Sequence, residues 1–148
     1  MTIIYHFSYL HIKQLCQLYK QMGWGDDRSI EDTLQCLQNS QICIGLLDSD
    51  NNLIGFTRVL SDFIYKAFIF DVMLSADYRG QGLGQKLMQL VKSHEKLKKV
   101  KQFELYCLPE MEGFYSSLGF SNDVGGIRLM RCVSSPIKIS IADIRPKA

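Results

Sequence analysis

The chain has no Cys-x-x-Cys pair, almost no net charge, and no apolar run near the roughly 18 residues that a membrane span needs. Each absence removes a class of function. Cys16, Cys36, Cys43, Cys107 and Cys132 are odd in number and irregularly spaced, which argues against a disulfide framework or a zinc site. They are expected to be small buried apolar residues in a reducing compartment. His6, His11 and His94 show no ligand spacing, so no metal is expected. A formal charge of +2 argues against a dedicated nucleic-acid binder, and the Lys-rich stretch at 92–101 reads as a solvated helix face. The N-terminus MTIIYHFSYLHIK lacks a basic start followed by a long apolar block. With neither leader nor span in view, the expected location is cytoplasmic, with no membrane partner.

What remains is the composition of a globular domain. The 148 residues fit one domain and are 47% apolar. Residues 2–7 suggest a short strand. Residues 11–22 carry a helical stripe at Ile12, Leu15, Cys16 and Leu18, stopped by GWGDD. Ser29, with Asp32 three residues later, resembles a capping box opening a second helix to about residue 37. The period then changes. ICIGLLD and LIGFTRVLSD flank the turn-forming SDNN, and AFIFDVML, nearly all apolar, reads as a central strand. A helix bearing Leu83, Leu87, Leu90, Val91 and Leu97 follows. Next come a strand at 103–108, a short helix at 111–118 ended by Gly119, and a late strand at 127–133. The order predicts an α/β fold: a mixed, mainly antiparallel central sheet flanked by helices, with a crossover into a parallel strand. Residues 1–133 form the expected domain. Residues 134–148 are an extension whose alternating IKISIADI is either an edge strand or a tail.

Between AFIFDVML and the following helix lies YRGQGLGQK. A helix starting near Gly82 offers unpaired N–H groups and about half a positive charge at its first turn. Gly80, Gly82 and Gly84 let a ligand approach the backbone, and Arg79 and Lys86 add charge. The combination suits a phosphate. The P-loop pattern fails because no Gly-Lys-Ser/Thr is present. The dinucleotide fingerprint fails at Gln85, where a third glycine belongs.

Arg79-x-x-Gly82-x-Gly84 does fit one pattern. The segment DVMLSADYRGQGLGQKLM resembles the acetyl-coenzyme A motif of the GNAT N-acetyltransferase superfamily, and GFYSSLGF at 113–120 resembles that family's second signature. The resemblance is strong over residues 53–120 and leaves the tail uncovered. It implies that the cofactor diphosphate lies on Arg79, Gly80, Gln81, Gly82, Leu83 and Gly84, with Gln85 and Lys86 nearby. It also implies that the pantetheine arm pairs with Val72, Met73 and Leu74, with the Leu74 N–H polarising the thioester. Tyr115 matches the tyrosine that donates a proton to the departing thiolate; its alternative is a packing role. Leu108 stands where the family often has Asn, which leaves cofactor contacts from that strand end open.

Asp71 is a lone carboxylate in an apolar run, and burying it unpaired is costly. It is either the general base, a holder of the substrate ammonium, or an ion-pair partner of Arg58; Asp62 is a weaker base. Arg58 is alternatively a contact for a substrate carboxylate. Trp24 and Arg28 fall in the loop that commonly lines the acceptor pocket, where one covers an apolar body and the other clamps an acid. The expected function is transfer of acetyl from acetyl-coenzyme A to a primary amine, on a small molecule or a protein, by direct attack. A binding module that has lost catalysis is the alternative. The family and the alternating tail also suggest a homodimer.

Overall fold

The computed structural model describes residues 1–25 and 27–134. Among the described residues, five strands form one sheet in chain order: β1 (Thr2–Ile4), β2 (Ile42–Leu47), β3 (Leu53–Ser61), β4 (Lys66–Leu74) and β5 (Gln102–Glu104). The first four are antiparallel to their neighbours, and β4 pairs with β5 in parallel. This is the expected mixed, mainly antiparallel α/β sheet. Helices α1 (Tyr9–Gln21) and α2 (Ile30–Gln38) lie between β1 and β2 in the chain, α3 (Leu83–Lys92) between β4 and β5, and α4 (Glu112–Ser116) after β5. None of the helices among the described residues is long and apolar enough to cross a membrane.

Local chemistry sets the boundaries. Ser8 Oγ accepts from the N–H of His11 to open α1, and Ser29 Oγ accepts from the N–H of Asp32 at 3.0 Å to open α2. Gly23, at φ +76°, stops α1. In the β2–β3 turn, Asp48 Oδ1 accepts from the N–H groups of Asp50 and Asn52. Asp62 does the same after β3, accepting from the N–H groups of Ile64, Tyr65 and Lys66. Those bonds hold its carboxyl below the usual range and make Asp62 a turn former.

The sheet is buried on both faces. One face packs Ile42, Ile44, Leu46, Ile54 and Ile69 against Leu87, Met88 and Val91 of α3. The other packs Cys43, Leu47, Phe56 and Met73 against Leu15, Leu18 and Tyr19 of α1. Each fully buried large aliphatic side chain contributes about 1.5–3 kcal/mol relative to exposure.

Two expectations fail. The strand expected over 103–108 ends at Glu104, because its pairing with β4 stops at Phe68↔Glu104 while β4 continues to Leu74. Residues 105–108 run on without a sheet partner among the described residues, and Pro109 then begins a 3-10 turn ahead of α4. Residues 127–133 are not a strand: they are exposed and unpaired within the described residues, with Met130 92% exposed. Alternation in sequence reports an extended backbone, but a strand also needs an edge to pair with. The 134–148 extension lies outside the described residues apart from Ser134.

Candidate active site

Two features of β4 open a cleft. The first is the separation from β5 beyond Phe68. The N–H of Ser75 bonds the carbonyl of Ile54 at 2.8 Å, so strand alternation turns the N–H of Leu74 away from β3, toward the side that β5 has left. The second is a bulge. Phe56 faces Met73 and Arg58 faces Phe70, so Thr57 alone stands opposite Asp71 and Val72. Asp71 takes φ +57°, a left-handed conformation costing a non-glycine residue about 1–2 kcal/mol. Thr57 Oγ1 donates to the carbonyl of Phe70 at 2.9 Å and fixes the kink. The consequence is local and chemical: Phe70 and Asp71, consecutive in sequence, both approach Arg58 on the α1 side.

The Asp71 carboxylate gathers three chain segments. Its Oδ2 accepts from Tyr19 Oη of α1 at 2.6 Å and from Arg58 Nε of β3 at 2.6 Å, and Arg28 Nη1 lies 3.9 Å away. Oδ1 has no partner among the described residues. Burial and the adjacent carboxylate push the Tyr19 phenol far up, so it stays a donor. Burial alone would lower the Arg58 guanidinium, but its bond to Asp71 outweighs that and raises it. The Arg28 guanidinium lies 4.1 Å from the Tyr19 ring centroid and 5.5 Å from that of Trp24, which is itself exposed. Along β4, Phe68 stacks on Phe70, Tyr106 meets Phe70 edge-on, and Arg131 lies over Tyr106.

At the other end of the cleft, Gly82 caps α3 at φ +80°, and no side chain closes the cap. Among the described residues, the main-chain N–H groups of residues 80–85 meet no acceptor; the Lys86 N–H is the first satisfied one, on Gly82 O at 3.1 Å. The Arg79 N–H is turned back onto Ala76 O, and its side chain donates to Leu74 O at 3.4 Å. The glycines differ in purpose. Gly80 and Gly82 have open space at the Cβ position and positive φ, so they serve backbone shape. Gly84 would place a Cβ 3.2 Å from Phe114 Cζ, so it serves close packing of α3 against α4.

Tyr115 follows Phe114 on α4. Its ring packs against Phe114 and Phe120, and its hydroxyl has no hydrogen-bond partner among the described residues. Burial raises its phenol to about 12, with Cys107 adding to the shift. Of the sequence-predicted residues, the structure thus gathers Asp71, Arg58, Arg28 and Trp24 in one cluster. It puts the turn at the end of the same strand. Tyr19 was missed by the sequence reading, although it continues the α1 stripe four residues after Leu15.

Residues 39–122 match the family model of the acetyltransferase (GNAT) domain. The N-acetyltransferase ycf52 of Porphyra purpurea is 33% identical over 129 residues, covering 82% of this chain and 71% of that protein. Serotonin N-acetyltransferase 2, chloroplastic, of Oryza sativa subsp. japonica is 30% identical over 125 residues, covering 82% of this chain and 62% of that protein. A crystal structure from Xanthomonas campestris pv. campestris, assigned to the GNAT family, superposes with a TM-score of 0.77 at 25% identity, covering 90% of this chain and 92% of that one. This chain belongs to the GNAT superfamily of N-acetyltransferases and is an acyltransferase.

Proposed function

We propose that the protein moves acetyl from acetyl-coenzyme A to a primary amine by direct attack, with the acyl donor along β4 and the acceptor over the Asp71 cluster. The observation that carries this reading is the run of unsatisfied N–H groups at residues 80–85, in line with the outward Leu74 N–H. These N–H groups lie at the exposed start of a helix, at the positive end of its dipole, an arrangement that receives a ligand with many acceptor oxygens. A diphosphate supplies them, and the bound cofactor supplies the activated acetyl thioester.

The chain's own groups then have separate tasks. The N–H groups of residues 80–85 hold the diphosphate. The Leu74 N–H donates to the thioester oxygen as charge develops there, a contribution typically worth about 3 kcal/mol. Val72, Met73 and Leu74 line the pantetheine arm. Tyr115 Oη donates its proton to the sulfur as the carbon–sulfur bond breaks and the carbon–nitrogen bond forms. Its raised pKa keeps that proton in place through the neutral range. Asp71 Oδ1, the free oxygen of an otherwise engaged carboxylate, accepts from the incoming amine.

A thiol-release assay with acetyl-coenzyme A over an amine panel tests the reading, read beside cofactor-induced thermal stabilisation. Amine-dependent thiol release with a lowered rate in Tyr115→Phe is expected. Absence of stabilisation by coenzyme A overturns the reading at its first step.

A further inference from the structure

We propose that the acceptor is a free amino acid with an apolar or aromatic side chain, its α-carboxylate held by Arg28. This rests on the acyl-transfer reading above and deepens it.

The argument starts from charge. The ionic groups acting on the Tyr19 hydroxyl are Asp71, Arg28 and Arg58, and Asp27 and Asp32 share a cavity wall with Arg28. Asp71 is spent on Arg58, which it meets at 2.6 Å with both side chains largely buried. Arg28 is left over. Among the described residues its nearest ionic partner is Asp71 at 3.9 Å, and its guanidinium makes no hydrogen bond. The group is nonetheless fixed by the Tyr19 and Trp24 rings and stays partly exposed. A planar guanidinium held flat with unused donors matches a carboxylate, which takes two parallel N–H bonds.

Position supplies the amine. Asp71 Oδ1 is free beside Arg28, so an amine and a carboxylate on one carbon span the two groups. A peptide N-terminus or a lysine side chain carries no such adjacent carboxylate, which separates free amino acids from protein acceptors. The remaining walls accept an apolar body. Trp24 is 55% exposed, and Phe68, Phe70 and Tyr106 form a ladder of rings along the cleft. Beyond Arg28 lies a cavity of about 300 Å³ whose walls include Asp27 and Asp32. Those carboxylates disfavour a dianion such as a phosphate monoester and leave a monoanion as the fitting partner.

The test uses acceptors matched in size and differing in charge: tryptophan, tryptophan amide and tryptamine, with 5-hydroxytryptophan and serotonin as a second set. Transfer is measured as kcat/KM, and binding to the coenzyme A-loaded protein by ligand-observed NMR. The wild type is expected to favour each carboxylate over its uncharged counterpart at least tenfold. Arg28→Gln is expected to bring that ratio near one, and Arg28→Lys to restore part of it, with coenzyme A stabilisation confirming that both variants fold. Preference for the amide or the amine overturns the proposal. So does equal handling of the members, a ratio that survives Arg28→Gln, or no binding of any carboxylate. Loss of coenzyme A binding by the wild type instead removes the acyl-transfer reading.

Discussion

The two ends of the cleft are built by opposite means. At the α3 turn, the chain leaves backbone groups unsatisfied, keeps side chains away, and uses Gly80 and Gly82 to hold left-handed φ values of +76° and +80°. At the β4 bulge it does the reverse: Tyr19, Arg28, Arg58 and Asp71 converge from α1, the loop after it, β3 and β4, and largely satisfy one another. The first end presents free main-chain donors to solvent. The second is an ordered surface that a ligand joins. A common cofactor can be gripped through main chain, whereas acceptor choice needs side chains whose identity can vary.

If that division holds, damage at one end stays there. The largest effect is expected for Asp71→Asn, which leaves two guanidinium groups facing each other. Breaking a buried pair in this way costs about 3 kcal/mol of stability. Chemical denaturation should show that loss, transfer should fall at least about 100-fold, and acetyl-coenzyme A affinity by calorimetry should hold. Tyr115→Phe is next, with kcat lowered about 100-fold and KM for acetyl-coenzyme A nearly unchanged. The same phenol makes a pH prediction. Burial raises it from 10 to about 12, so the folded state binds that proton more tightly than the unfolded chain. The associated stability is complete below pH 10 and is lost as pH rises to 12. The rate should likewise persist past pH 10, where an unperturbed tyrosine would already be half ionised.

Gly82→Ala is a smaller perturbation. A Cβ there meets nothing within 4 Å, so the cost is conformational, about 1–2 kcal/mol. It should appear in chemical denaturation as a stability loss of that size, with KM for acetyl-coenzyme A rising only as far as the free turn relaxes. The smallest quantity is the sharpest. In the double variant Asp71→Asn with Gly82→Ala, the stability losses should add within about 0.5 kcal/mol. A larger coupling would show that the two ends are one mechanical unit.

The same contrast explains what could be read from residues alone. The turn was legible because its chemistry is local: glycine spacing, flanking cations and a helix start occupy one short stretch. The helix caps at Ser8 and Ser29 are local too, although only Ser29 carried an acidic residue three positions on to announce it. Asp71 stood out as a charge in an apolar run, but the bulge did not, because it depends on the register of β3 against β4. Tyr19 looked like core, and most of it is core; only its hydroxyl reaches Asp71, 52 residues away. Residues 127–133 have the pattern of a strand and find no pairing partner among the described residues.

Gly84 sits in the turn but presses on α4. With only hydrogen at that position, the tip of Phe114 can lie against α3, and the next residue along is Tyr115. In the proposed reaction, the spacing between the cofactor's anchor and the point where its sulfur is discharged is therefore gauged by one missing methyl group. The glycine acts as a shim, setting where the neighbouring phenol sits through the ring beside it.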